Sequence, residues 1–156
     1  MIIYNIIRSS VTMAGTTPLF TIVPGAGRSC LLMELDFEGM GTASAANEIG
    51  IYRVAAAGTG AATAIANTPT AVEGSTGTLT FSGAVNLSYA TTQPTFAATA
   101  IVHNMPLNSN GQRYFWRCNP NLNNAIVMPS IAIPGLVFAP ISGTGSVSGR
   151  VQIAEM

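Results

Sequence analysis

An alternation of period two runs through this chain, and it excludes most folds at once. Leu31, Met33, Leu35 and Phe37 alternate with Leu32, Glu34, Asp36 and Glu38, the pattern of a strand with one buried face. The closing segment repeats it, with Val147, Val151 and Ile153 on one side and Ser148, Arg150 and Gln152 on the other. Shorter runs lie at Ile2–Arg8, Leu19–Val23, Glu48–Val54, Leu79–Ser82, Phe96–His103, Gln112–Cys118, Ala125–Met128 and Leu136–Ala139. Clusters of Gly, Pro or Asn bound nearly all of them, as turns require. No window of a dozen residues carries a helical stripe. Roughly eight to ten short strands predict an all-β fold, a two-sheet antiparallel sandwich with a jelly roll as the expected topology. The Cys…Trp…Cys spacing of an immunoglobulin-like sandwich is absent.

At 156 residues the chain suits one domain spanning 1–156. Two segments stand apart from the strand pattern. Residues 1–10 are apolar and terminal, an arm able to add a strand to its own sheet or to a neighbour's. Ala55–Gly77 is built of Ala, Gly and Thr and reads as a long excursion between strands. The first twenty residues lack a basic leader, and Asn5 and Arg8 interrupt their apolar run, so they do not read as a signal peptide. No stretch approaches a membrane span.

Titratable groups are scarce. There is no lysine, one aspartate (Asp36) and one histidine (His103), and charged residues make up 8% of the chain against roughly a quarter in an ordinary domain. Six arginines balance six acids, so the basic face that phosphate binding needs is not expected. Weakly charged, neutral surfaces associate, and arginine is favoured at interfaces while lysine and glutamate are depleted. The composition therefore predicts a chain that works by covering surfaces, with no enzymatic activity, no cofactor, no nucleic acid and no membrane. Cys30 and Cys118 fit no metal-ligand spacing; sequence leaves open whether they are free or bonded.

Glu34, Asp36 and Glu38 form the one charge cluster. On a strand they share a face at intervals of about 6.6 Å, too wide to chelate one ion and close enough to need positive partners. Arg53, Arg113, Arg117 and Arg150 are the available cations, with Arg8 a further interface candidate. Strand alternation across Arg113–Cys118 sets Arg113, Phe115 and Arg117 on one face, against Tyr114, Trp116 and Cys118 on the core side. His103 closes an apolar run before Asn104-Met105-Pro106 and reads as a hydrogen-bonded turn histidine. An enzyme would have to centre on it, and no G-x-S-x-G elbow accompanies it. Gly58-Thr59-Gly60 and Gly143-Thr144-Gly145 lack the lysine and helix of a phosphate loop. Asn86-Leu87-Ser88 matches a glycosylation sequon of the sort short chains carry by chance.

One order of motifs carries a family resemblance. Glu48 through Gly60 (EIGIYRVAAAGTG) is followed by Thr68-Pro69-Thr70, then Arg113-Tyr114-Phe115-Trp116-Arg117, an Asn-rich loop, Met128-Pro129, Gly135-Leu136 and a closing strand ending in Glu155. Across residues 48 to 156 this resembles small structural proteins of tailed bacteriophages: the jelly-roll decoration or cement proteins of the head, and related minor virion proteins. The chain departs from that pattern at residues 72–76, where Val-Glu-Gly-Ser-Thr replaces an acidic, proline-rich segment. The resemblance implies a virion location on the outer capsid surface after assembly in the host cytoplasm. Its implied partners are the major capsid protein and further copies of itself, as trimers or dimers bridging capsomers. The rival expectation is a phage tail or neck component, a lectin-like module binding receptor or glycan through Tyr52, Tyr89 or the Arg/aromatic face.

Overall fold

The protein is described by a computed structural model covering residues 2–15, 17–56, 58, 70–71, 81–86, 92–119, 124–130 and 135–156. Eleven strands and no helix make up its regular structure among these residues: β1 (Ile2–Met13), β2 (Phe20–Val23), β3 (Cys30–Met40), β4 (Ala46–Arg53), β5 (Thr70–Ala71), β6 (Ala84–Asn86), β7 (Ile101–Asn108), β8 (Asn110–Arg117), β9 (Ile126–Met128), β10 (Leu136–Ser142) and β11 (Gly145–Glu155). One sheet runs β5-β1-β11-β3-β8, with β9 also paired to β3; the other runs β6-β2-β10-β4-β7. Every pairing is antiparallel. Setting aside the short β5, β6 and β9, the remaining strands in chain order fall first-eighth-third-sixth in one sheet and second-seventh-fourth-fifth in the other. That order is what an antiparallel ribbon gives when it rolls up, a jelly roll.

The two sheets close over a single main core. Tyr4, Ile6, Leu35, Phe37, Val151 and Ile153 from the first meet Phe20, Ile22, Ile49, Ile51, Met105, Leu107, Leu136 and Phe138 from the second. Burying a side chain of this size stabilises by about 1.5–3 kcal/mol each. Phe20, Phe37 and Phe138 form a ring stack across the sandwich, with centroids 4.2 Å apart for Phe20–Phe138 and 6.2 Å for Phe37–Phe138.

The alternation in β3 breaks phase once. Cys30, Leu32, Leu35 and Phe37 are buried, while Leu31 and Met33 are only half-buried. The cause is a bulge: Glu34 pairs with Gln152 but Leu32 pairs with Ile153, so Met33 has no opposite residue on β11. An extra residue reverses the faces on either side of it. The expected set Leu31, Met33, Leu35, Phe37 is therefore corrected to Leu32, Leu35, Phe37.

Residues 2–10 belong to β1, which pairs with β11 from Ile2↔Glu155 to Arg8↔Gly149; Tyr4 is fully buried. Of the two options for an N-terminal arm, the chain's own sheet takes it. His103 lies within β7, opposite Ile51, which corrects its placement in a turn. Residues 96–100 precede that strand rather than forming part of it, and Phe81 and Ser82 lie outside any strand. Most of the Ala55–Gly77 excursion, and Tyr89, lie outside the described residues. Both cysteines are free, Cys30 buried and Cys118 half-buried.

Candidate functional site

The two outer sheet faces differ. That of the second sheet is partly covered, where Phe96 and Val54 pack on Tyr52, Val137 and Ala139. Tyr52 is thereby buried, with its ring 4.5 Å from that of Phe96. The outer face of β1-β11-β3-β8 holds Glu34, Asp36 and Glu38 on β3, Arg150 on β11, and Arg113 and Arg117 on β8. Half of the six acids and half of the six arginines thus share one face.

Register explains the connections. Asp36 stands between Arg150 and Phe115, Glu34 between Gln152 and Arg117, and Glu38 between Ser148 and Arg113. Arg113 reaches diagonally onto Asp36 in a two-point grip, Nε to Oδ1 at 2.6 Å and Nη2 to Oδ2 at 2.7 Å. Arg150 Nη2 donates to Glu34 Oε1 and lies 3.7 Å from Asp36 Oδ2. Arg117 Nε is 3.9 Å from Glu34 Oε2. The result is one chain of charges, Arg113–Asp36–Arg150–Glu34–Arg117. Paired carboxylate–guanidinium forks of this kind are the stronger class of ionic hydrogen bond. Glu38 stays exposed at the end of the row. Ile7 and Phe115, each 53% exposed, border the network. Ile7, Asp36, Glu38, Arg113, Ser148, Gly149 and Arg150 line a shallow, open depression of about 460 Å³.

Arg8 and Arg53 stand apart from this network. Arg8 is half-buried on β1 beside Gly149, with its Nε without a partner among the described residues; burial pulls its pKa down. Arg53, on the other sheet, donates to the Val127 carbonyl, and burial lowers its pKa too. Tyr114 and Trp116 pack against the core, as alternation requires. Tyr114 Oη lies 2.7 Å from His103 Nε2, and the Trp116 ring is 5.3 Å from the imidazole.

Sequence reasoning missed one polar group. Glu155 is buried at the sandwich end, accepting from the Ser82 amide at 3.3 Å, from Ser82 Oγ, and from Tyr4 Oη at 3.5 Å. The signal was present: Glu155 continues the Val147, Val151, Ile153 phase and so must face inward. Beside it the Cys30 thiol is pushed up to about 12, first by burial and then by the Glu155 charge. Such a thiol is inert at neutral pH.

Titration of the network has a definite sign. The Arg113 hydrogen bond, outweighing burial, holds the Asp36 carboxyl below the usual carboxylate range, so its contribution is present above about pH 4 and lost as pH falls. Burial lowers the His103 pKa, so the unfolded chain takes up that proton first and stability declines below about pH 6.5. Denaturation midpoints are expected to drop in two stages on acidification, and His103→Gln to remove the upper stage alone. A flat profile from about pH 7 to 4 would refute the His103 assignment, and a flat one from about pH 4 downwards the Asp36 assignment.

Among the described residues no three His, Cys, Asp or Glu side chains gather as a metal site would require. What the face can do is be covered. Asp36 and Glu34 each have a cation, and the exposed Glu38 beside them balances the third arginine, so the face is neutral as a whole. Compared with known protein families, curated proteins and solved structures, the chain matches none.

Proposed function

We propose that this chain is a virion structural protein, a decoration or cement subunit that binds the outer surface of a capsid head and bridges capsid subunits. The observation carrying this reading is the ion network on one sheet face, neutral overall once Glu38 is counted and bordered by exposed Ile7 and Phe115. Interface cores favour such a mixture of arginine and large apolar side chains. The motif order at residues 48–156 supports the same reading, as does a neutral composition suited to the outside of a DNA-filled shell. A subunit that binds only the assembled shell stabilises it by mass action, multiplied over many copies.

The test is co-sedimentation with heads of the virus that encodes the chain. Wild-type protein is expected to pellet with assembled heads and to raise their disruption temperature. Ile7→Asp, which replaces an apolar side chain bordering the covered face with a charge that competes for Arg150 opposite it, is expected to weaken binding at least tenfold, on the order of 1.4 kcal/mol or more, without lowering the protein's own melting temperature. Heads that ignore the wild-type protein, or bind the variant equally well, would overturn the reading. Binding to a glycan array instead would favour a receptor-binding tail component.

A further inference from the structure

We infer that β8 is a pairing edge for a second copy of this chain, joined antiparallel through Arg113 and Phe115 so that two jelly rolls share one continuous sheet. This deepens the assembly reading above and rests on it only in taking the chain to associate.

The argument starts from which backbone groups point outward. The Cys118 amide donates to the Met33 carbonyl at 2.8 Å. In an antiparallel ladder every second residue bonds the same neighbour, so Trp116 and Tyr114 also bond inward to β3. The amides and carbonyls of Arg113, Phe115 and Arg117 therefore turn away from β3. β8 is the last strand of its sheet among the described residues, so these groups face an open edge.

Other stretches of edge are guarded. On β7, the edge of the other sheet, the Ser109 amide donates to Ala45. The same alternation turns residues 104, 106 and 108 outward, and position 106 is proline, which has no amide to offer. Farther along the β8–β9 edge, Asn124 Nδ2 donates to the Arg117 carbonyl at 3.3 Å and Arg53 to that of Val127. Among the described residues Arg113 and Phe115 lack such a cap; residues 113–117 hold no proline or lysine, and the one register shift of β8 against β3 falls before them, between Asn110 and Arg113. Free cations are the usual deterrent on exposed edges. Here the Arg113 guanidinium is drawn back onto Asp36, so the edge is left undefended beside an exposed Phe115 ring.

Charge then selects the occupant and the register. A two-fold axis beside Tyr114 sets Arg113 against Phe115 of the second copy, and Phe115 against its Arg113. Both are outward-bonding positions, so each pair exchanges two hydrogen bonds. Arg113 already lies 6.0 Å from the centroid of its own Phe115 ring, and this register offers it a second ring. Moving the axis to Phe115 would set Arg113 opposite Arg117, a like-charge pair that sheets disfavour. Copies of this one strand satisfy each other in the first register.

Sedimentation of the full chain, with hydrogen exchange read at single amides, tests this. As concentration rises from about 1 μM to about 1 mM, the range of weak association, the mass is expected to climb from 16.0 kDa towards twice that. The Arg113 and Phe115 amides should exchange at least tenfold more slowly in the associated form, while those of Tyr114 and Trp116 stay slow throughout. Phe115→Pro removes one outward amide and no inward bond, so it is expected to remain monomeric. Phe115→Lys, which keeps the backbone and faces Arg113 with a cation, is expected to dimerise at least tenfold more weakly. A mass fixed at the monomer value overturns the inference, as does association with the Arg113 and Phe115 amides still fast. Unchanged head binding by Ile7→Asp with dimers intact would count against the docking reading alone. Intact head binding by protein that never dimerises would count against the pairing alone.

Discussion

Replacing Phe138 by alanine is expected to destabilise the protein by about 3–5 kcal/mol, the range for removing a fully buried phenylalanine. Phe138 sits on β10 opposite Phe20 in the register, and its ring stacks on that of Phe20 at an interplanar angle of 16°. The same ring faces Phe37 from the other sheet at 20°. All three are essentially inaccessible to solvent. Alanine would therefore lose the transfer free energy of the ring, leave a cavity, and break the only stack of three aromatics among the described residues that joins the sheets. For a domain of this length the loss corresponds to a fall in melting temperature of roughly 10 °C. Leucine at the same position refills part of the cavity and should recover about half of the loss. A thermal melt separates the cases. A shift of only a degree or two for alanine would mean that the stack does not hold the sheets together.

How much of this was legible in the sequence follows from which forces are local. The buried faces of β11 and β8 could be read because alternation holds unbroken where their charged partners lie, so Arg113, Arg117 and Arg150 could be set against the acids of β3. The face of β3 itself was misread near its start because a bulge at Met33 is a property of the pair: it exists only once β11 lies alongside. The same limit applies to His103. Its neighbours Asn104 and Pro106 resemble turn chemistry, yet β4 recruits the whole segment as an edge strand, where a proline nitrogen is tolerated facing outward. Arg8 and Arg53 carry the same charge as the network arginines but sit on strands whose register places them elsewhere. Phe115 was placed correctly on the outer face. That its backbone faces an open edge depends on strand order, which no local pattern states.

Gly39→Ala is expected to be as damaging as losing a core side chain, about 3 kcal/mol or more, although it adds a single methyl group. Gly39 is buried near the end of β3, and a Cβ there would fall inside the carbonyl oxygen of Asn108 and against the main chain of Ser109. These residues turn the hairpin by which β7 of one sheet becomes β8 of the other. Its apex is clasped to the chain after β3: the Gly41 amide donates to the Ser109 carbonyl at 2.6 Å, Ser109 Oγ to the Ala43 carbonyl at 2.6 Å, and the Ser109 amide to Ala45 at 2.9 Å. Backbone cannot swing aside as a side chain can, so the hairpin must lift and carry β8 with it. Overpacking that forces backbone movement lies at the upper end of such costs. Gly149 makes a useful contrast, since the nearest atoms a Cβ there would meet belong to the Phe37 ring rather than to backbone. Gly149→Ala should be partly rescued by Phe37→Leu, whereas trimming side chains should not rescue Gly39→Ala. Because β8 supplies Arg113 and Arg117, the Gly39 variant should also loosen the grip on Asp36 and weaken dimer and head binding together. A Gly39→Ala protein that melts within about 1 kcal/mol of wild type and still associates would show that the hairpin tolerates displacement, and that the position of β8 is set from elsewhere.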